Sequence, residues 1–196
     1  MKFPKEKVRI IQLVKMYEDK EDYVSIYKMK DEMLSLYEEL KETNVFNSLA
    51  LSSFNLRYFD ETILIGEELL KKGYESFSST LYVLLSCLGC CDIYHALSII
   101  RRSKILNIPD INSYLATDGA NYFNILKFDS NNGDIGLALV VANFIVGLSK
   151  EISNEKEIEK EYILIRAFEV IDTLFEIGYS EASINKLTNA LKMMFF

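Results

Sequence analysis

Tryptophan is absent from this chain of 196 residues, histidine occurs once and proline twice. Two prolines and eight glycines are too few for the many tight turns of an all-β protein. The three cysteines, Cys87, Cys90 and Cys91, fall within five positions of one another. Such a cluster does not staple distant segments as the disulfide framework of a small secreted domain does, and a reducing compartment is expected. Long apolar runs are missing too. The longest uncharged stretches, 76–91 and 135–149, fall short of the roughly 18 residues of a membrane span and contain polar positions. The opening MKFPKEKVRIIQLVKMY carries charges at Lys5, Glu6, Lys7, Arg9 and Lys15 where an export signal needs an apolar segment, so a soluble cytoplasmic protein with no membrane partner is expected. Basic residues are the minority, 22 Lys+Arg against 29 Asp+Glu, and the net charge of −7 disfavours nucleic acid as the main partner. The phosphate-cradling glycine loop, His-Glu-x-x-His and Gly-x-Ser-x-Gly are all absent, so the expected function is not enzymatic and no cofactor is implied.

What is present is a helical pattern. Apolar residues make up 49% of the chain and charged residues 26%, which excludes disorder, and the length suits one unit spanning 1–196. Apolar positions recur at helical spacing, as in Tyr23, Ile26, Tyr27, Met33, Tyr37 and Leu40, with lysines and glutamates on the opposite face. That segment reads as one amphipathic helix. Further helices are predicted near 5–17, 45–56, 60–72, 77–89, 93–106, 111–127, 135–149, 155–177 and 181–194, about ten in all. Asp60, Asp92, Asp110 and Asp134 suit helix starts, Asn154 with Glu157 suits a capping box, and Gly73 and Gly178 suit helix ends.

Repetition adds an architecture. Lys71 to Ser76 and Glu176 to Glu181 share a Gly-Tyr centre 105 residues apart (178 − 73), three periods of 35. Phe46, Leu49 and Ala50 recur 36 residues later as Tyr82, Leu85 and Ser86, and Phe59-Asp60-Glu61-Thr62 pairs with the helix start that carries Ala96. In these residues the chain resembles the tetratricopeptide family and its pentatricopeptide relatives. Ser53 and Gly89 stand where that family usually has an aromatic. The resemblance is clearest over 45–109 and implies an all-α fold, a right-handed α-solenoid of antiparallel helix pairs. Residues 1–43 would be N-terminal capping helices, 44–150 the repeat core and 151–196 a C-terminal helix pair.

By the same resemblance, the ligand-facing positions of two successive first helices are Asn47, Leu51, Phe54 and Asn55, then Val83, Cys87, Cys90 and Cys91. None is charged. That wall suits an extended segment or amphipathic helix of another protein, with the asparagines holding backbone groups and Leu51 and Phe54 supplying burial. An adaptor or chaperone is the leading expectation, and a homodimer is the alternative use of the apolar end Met193 to Phe196. Two other classes stay open: a single-stranded RNA binder, and a metal- or redox-responsive regulator built on Cys87, Cys90, Cys91 and His95. The acidic stretch 129–134 begins like a calcium loop, but Val140 stands where a bidentate glutamate is required.

Overall fold

A computed structural model describes residues 5–106, 134–152, 159–176 and 178–196. Every regular element among them is helical. In chain order these are α1 (Lys5–Glu18), α2 (Tyr23–Lys28), α3 (Lys30–Ser35), α4 (Tyr37–Leu40), α5 (Val45–Asn55), α6 (Phe59–Lys71), α7 (Phe77–Gly89), α8 (Ile93–Arg102), α9 (Asp134–Glu151), α10 (Lys160–Glu176) and α11 (Glu181–Phe195). No helix among the described residues is long and apolar enough to cross a membrane. The helix expected at 111–127, residues 129–133 of the calcium-like loop, Asp110 and the Asn154/Glu157 cap lie outside the described residues.

The single helix expected over 23–40 is three short ones, interrupted at Met29 (φ −85°, ψ 2°) and Leu36 (φ −102°, ψ 29°). The segment keeps its apolar face and packs against α5, while polar side chains reach across to α6. Tyr27 and Lys30 donate to Glu61 near the start of α6, and the Tyr37 hydroxyl donates to the Lys72 carbonyl at its end. Helix α8 also stops earlier than the periodicity suggests. The Glu75 carboxylate accepts from Ser103 Oγ (2.8 Å) and from the amides of Lys104 (2.9 Å) and Ile105 (3.2 Å). These amides leave the helical ladder because a charged acceptor offers a stronger bond.

One turn geometry recurs within the described chain. After α1, α5 and α7, the residues Glu21, Arg57 and Cys91 take left-handed φ values of 53°, 60° and 57°. Each amide bonds the carbonyl three residues back, and the next amide bonds the carbonyl five back (Asp22 to Tyr17, Tyr58 to Ser53, Asp92 to Cys87). This is the Schellman ending of a helix, normally built on glycine. Gly73 and Gly178, at φ 83° and 86°, close α6 and α10 the same way. The three non-glycine turns are 36 and 34 residues apart, and the residues after them share nearly one conformation: Asp22 at −83°/71°, Tyr58 at −85°/61° and Asp92 at −94°/69°. Left-handed backbone at a residue with a Cβ costs about 1–2 kcal/mol. Arg57→Gly is therefore expected to raise stability by about 0.5–1 kcal/mol, part of the relief being offset by the looser unfolded chain. Urea melts check this, and an unchanged midpoint would show that the turn carries no strain.

Packing follows the same alternation. Helix α7 lies against α5, α6, α8 and α9, and α11 packs on it as well. The larger core gathers Phe54, Leu81, Leu84, Leu88, Leu97, Phe144, Ile163 and Leu187, among others. A smaller one joins Ile10, Met33, Tyr37, Phe46, Leu49 and Leu69. The two positions where an aromatic was expected each have a local substitute. Ser53 is buried and accepts from Thr62 Oγ1 at 2.8 Å, so a hydroxyl pair replaces an aromatic–alanine contact. At Gly89 the Phe59 ring fills the space, since a Cβ there would lie 3.1 Å from it.

Candidate functional site

The eight positions expected to face a ligand divide into two groups. Asn47, Leu51 and Asn55 are half-buried and lie at i, i+4 and i+8 of α5, which places them on one stripe. Asn47 is already engaged: its Oδ1 accepts from the Tyr74 hydroxyl at 3.1 Å and from Ser76 Oγ, tying α5 to the link between α6 and α7. Leu51 rests partly on the larger core. Phe54 belongs to the interior at 1% exposure, its ring 5.6 Å from that of Phe59 and 5.4 Å from that of Tyr82.

On α7 the expected lining is filled by the chain itself. Val83 and Cys87 are buried, and Val83 sits in the space left by Gly66 of α6. Lys186 of α11 stands over the Tyr82 ring, 5.7 Å from its centroid. Helix α6 thus covers Val83, while α9 and α11 pack on α7 as well. Only Cys90 and Cys91, at the turn, stay half-exposed. Phe195 packs partly on the core while Phe196 is exposed.

The Cys/His window does not converge on one point. Cys87 lies in the core, Cys90 Sγ donates to Asp60 Oδ1 at 3.5 Å, and Cys91 forms the left-handed turn. His95 turns instead toward α6, with Nε2 3.1 Å from Glu67 Oε1 and Nδ1 3.4 Å from Asp92 Oδ2. Among the described residues no group of three or more His, Cys, Asp or Glu side chains is placed to share a metal ion. Burial pushes all three thiols above their usual range, Cys90 to about 11, with the Asp60 carboxylate adding to the effect. Thiols held protonated are poor nucleophiles and poor ligands.

Sequence reading missed a charged cluster that joins α6 to α8. Glu67 accepts from Arg102 through both guanidinium nitrogens and sits beside His95. Its signal was available: Glu67 and Arg102 are 35 residues apart, close to the spacing expected from the sequence, as Tyr27 and Glu61 are at 34. The Arg102 bond holds the Glu67 carboxyl below its ordinary value of 4.5, against the opposing effect of burial, with His95 helping. A depressed folded value means that the contribution is full above the ordinary glutamate range and is lost as the pH falls through the folded value. Glu67→Gln is expected to cost about 1 kcal/mol at neutral pH, a modest figure because Arg102 is 41% exposed. It should also flatten the acid limb of stability. Melts from pH 7 down to about 3 check both, and an unaltered acid limb would remove Glu67 from the account.

Comparison with protein-family models, with curated proteins and with solved structures finds no match to this chain. Its function is therefore argued from its own residues.

Proposed function

We propose that this protein is a non-catalytic interaction module, a right-handed array of tetratricopeptide-like helix pairs that holds a segment or helix of a partner protein as an adaptor or chaperone does. The turn geometry at intervals of 36 and 34 residues supports a repeated unit, and it extends the period to the helix pair formed by α1 and α2–α4. The contact surface in this reading is the stripe of Asn47, Leu51 and Asn55. The observation that carries it is the contrast between two successive first helices: the α7 wall is filled by the chain's own helices, whereas the uncharged α5 stripe keeps partial exposure. With Asn47 committed to Tyr74 and Ser76, Asn55 supplies the amide for a partner backbone and Leu51 the apolar contact.

The test is photo-crosslinking from position 55 in the native host, paired with Leu51→Ser. The expected result is one crosslinked polypeptide whose affinity for the purified protein falls about tenfold in the variant, with the melting temperature little changed. Equal affinity of the variant for that polypeptide would take the stripe out of the account. Neither alternative class gains an observation. An uncharged stripe on a chain of net charge −7 offers no cation row for RNA phosphates, and the thiols are protonated and dispersed.

A further inference from the structure

Helices α6 and α8 run side by side in the same direction, held together at three levels. Cys90, ahead of α8, donates to Asp60 at the start of α6, Arg102 at the end of α8 donates to Glu67, and Ser103 with the next two amides closes on Glu75. The last two levels bracket a set of cations. Lys71 lies between Glu67 and Glu75, one turn beyond Glu67 and on the same side of α6. Arg101, Arg102 and Lys104 lie on the stretch that these bonds hold against it, and all four cations are exposed.

Four cations stand here against two carboxylates, a local positive excess on a chain of net charge −7. Glu67 is occupied by Arg102 and His95, and Glu75 by Ser103 and the amides. Lys72 belongs elsewhere: its ammonium lies over the Tyr37 ring, 5.2 Å from the centroid, with Glu68 3.8 Å away. Among the described residues the side chains of Lys71, Arg101 and Lys104 have no hydrogen-bond or ion-pair partner. The carbonyl ends of α6 and α8 favour cations in their last turns, which accounts for Lys71 and Arg101 but not for Lys104, beyond the end of α8.

We infer that these ends of α6 and α8 bind a short acidic segment of a partner protein through the side-chain carboxylates of neighbouring Asp or Glu residues. Arg101 offers the planar fork that matches a carboxylate, and Lys71 and Lys104 offer point charges on flexible stems. Neighbouring helices pack about 8–10 Å apart, so the free cations span roughly 10–15 Å, the reach of about four extended residues. That size selects a peptide. A nucleic-acid strand carries its charge along a continuous backbone and would pass from the patch onto the rest of the chain, where Asp and Glu outnumber Lys and Arg.

The test is titration of the whole protein with a synthetic peptide of about ten residues, a run of about four glutamates flanked by glycine and serine. The same peptide with glutamine for glutamate and a single-stranded oligouridylate serve as comparisons. The variant is Arg101→Gln combined with Lys104→Gln. Both residues are exposed and neither side chain has a partner to lose, so folding is retained. Lys20→Gln combined with Lys28→Gln, exposed and away from these helix ends, removes the same charge elsewhere. The glutamate peptide is expected to bind, less tightly as salt is raised, and to lose about tenfold in affinity in the Arg101/Lys104 variant while the Lys20/Lys28 variant retains most of it. The glutamine peptide is expected not to bind, and the oligonucleotide to bind more weakly than the glutamate peptide. No binding of the glutamate peptide would overturn the proposal, as would unchanged affinity in the Arg101/Lys104 variant or tighter binding of the oligonucleotide. An equal loss in both variants would report net charge alone and would overturn it too. Leu51→Ser separates this surface from the α5 stripe: it should leave the glutamate peptide unaffected, and loss in that variant alone would move the site to the stripe and overturn the patch.

Discussion

Phe54→Ala is expected to cost about 3–5 kcal/mol, enough to leave much of the chain unfolded at 37 °C. The ring is 1% exposed and is clasped by Phe59 of α6 and Tyr82 of α7, so its removal empties the junction of α5 with both helices at once. Calorimetry or urea melts measure the loss. A cost below about 1 kcal/mol would show that the junction can collapse around the gap. The value matters for function as well. Lost partner binding in Phe54→Ala would report unfolding, whereas Leu51→Ser reads the surface without removing a core side chain.

A second large effect is expected from a single added methyl group. Gly66→Ala would stabilise an isolated helix by about 1 kcal/mol, yet in this chain it should destabilise by about 1–3 kcal/mol. The new Cβ would overlap Val83 Cγ2 and stand 3.0 Å from Cγ1 and 3.3 Å from Cβ. A β-branched side chain in a helix has one favoured rotamer and cannot swing away, so α6 and α7 would have to separate. Val83→Ala should rescue it: the double variant is expected to lose less than the sum of the single losses, by about 1 kcal/mol or more. Strict additivity would mean that the two positions do not touch.

The same contact shows why the expected site was only partly legible. Val83 and Cys87 align with ligand-facing positions by repeat spacing, and spacing reports which way a residue points on its own helix. What stands opposite is a different matter. Here α6 comes close at Gly66, and α9 and α11 cover α7, so Val83 and Cys87 became core. Asn47, Leu51 and Asn55 on the preceding helix, read by the same rule, kept partial exposure. The cysteines and His95 likewise share nine positions of sequence while facing the core, Asp60 and Glu67.

Helix content, most helix starts and the interval of about 35 residues were set by the amino-acid sequence itself, because apolar periodicity, capping residues and the Gly-Tyr ends at 73 and 178 act over a few neighbouring residues. Three left-handed turns without glycine, the breaks at Met29 and Leu36, and the early end of α8 under the Glu75 carboxylate were decided by tertiary structure. Each is a local cost or a lost helical bond that neighbouring residues do not offset, and distant contacts such as Glu75 with Lys104 and Tyr37 with the Lys72 carbonyl exist only once the helices have packed.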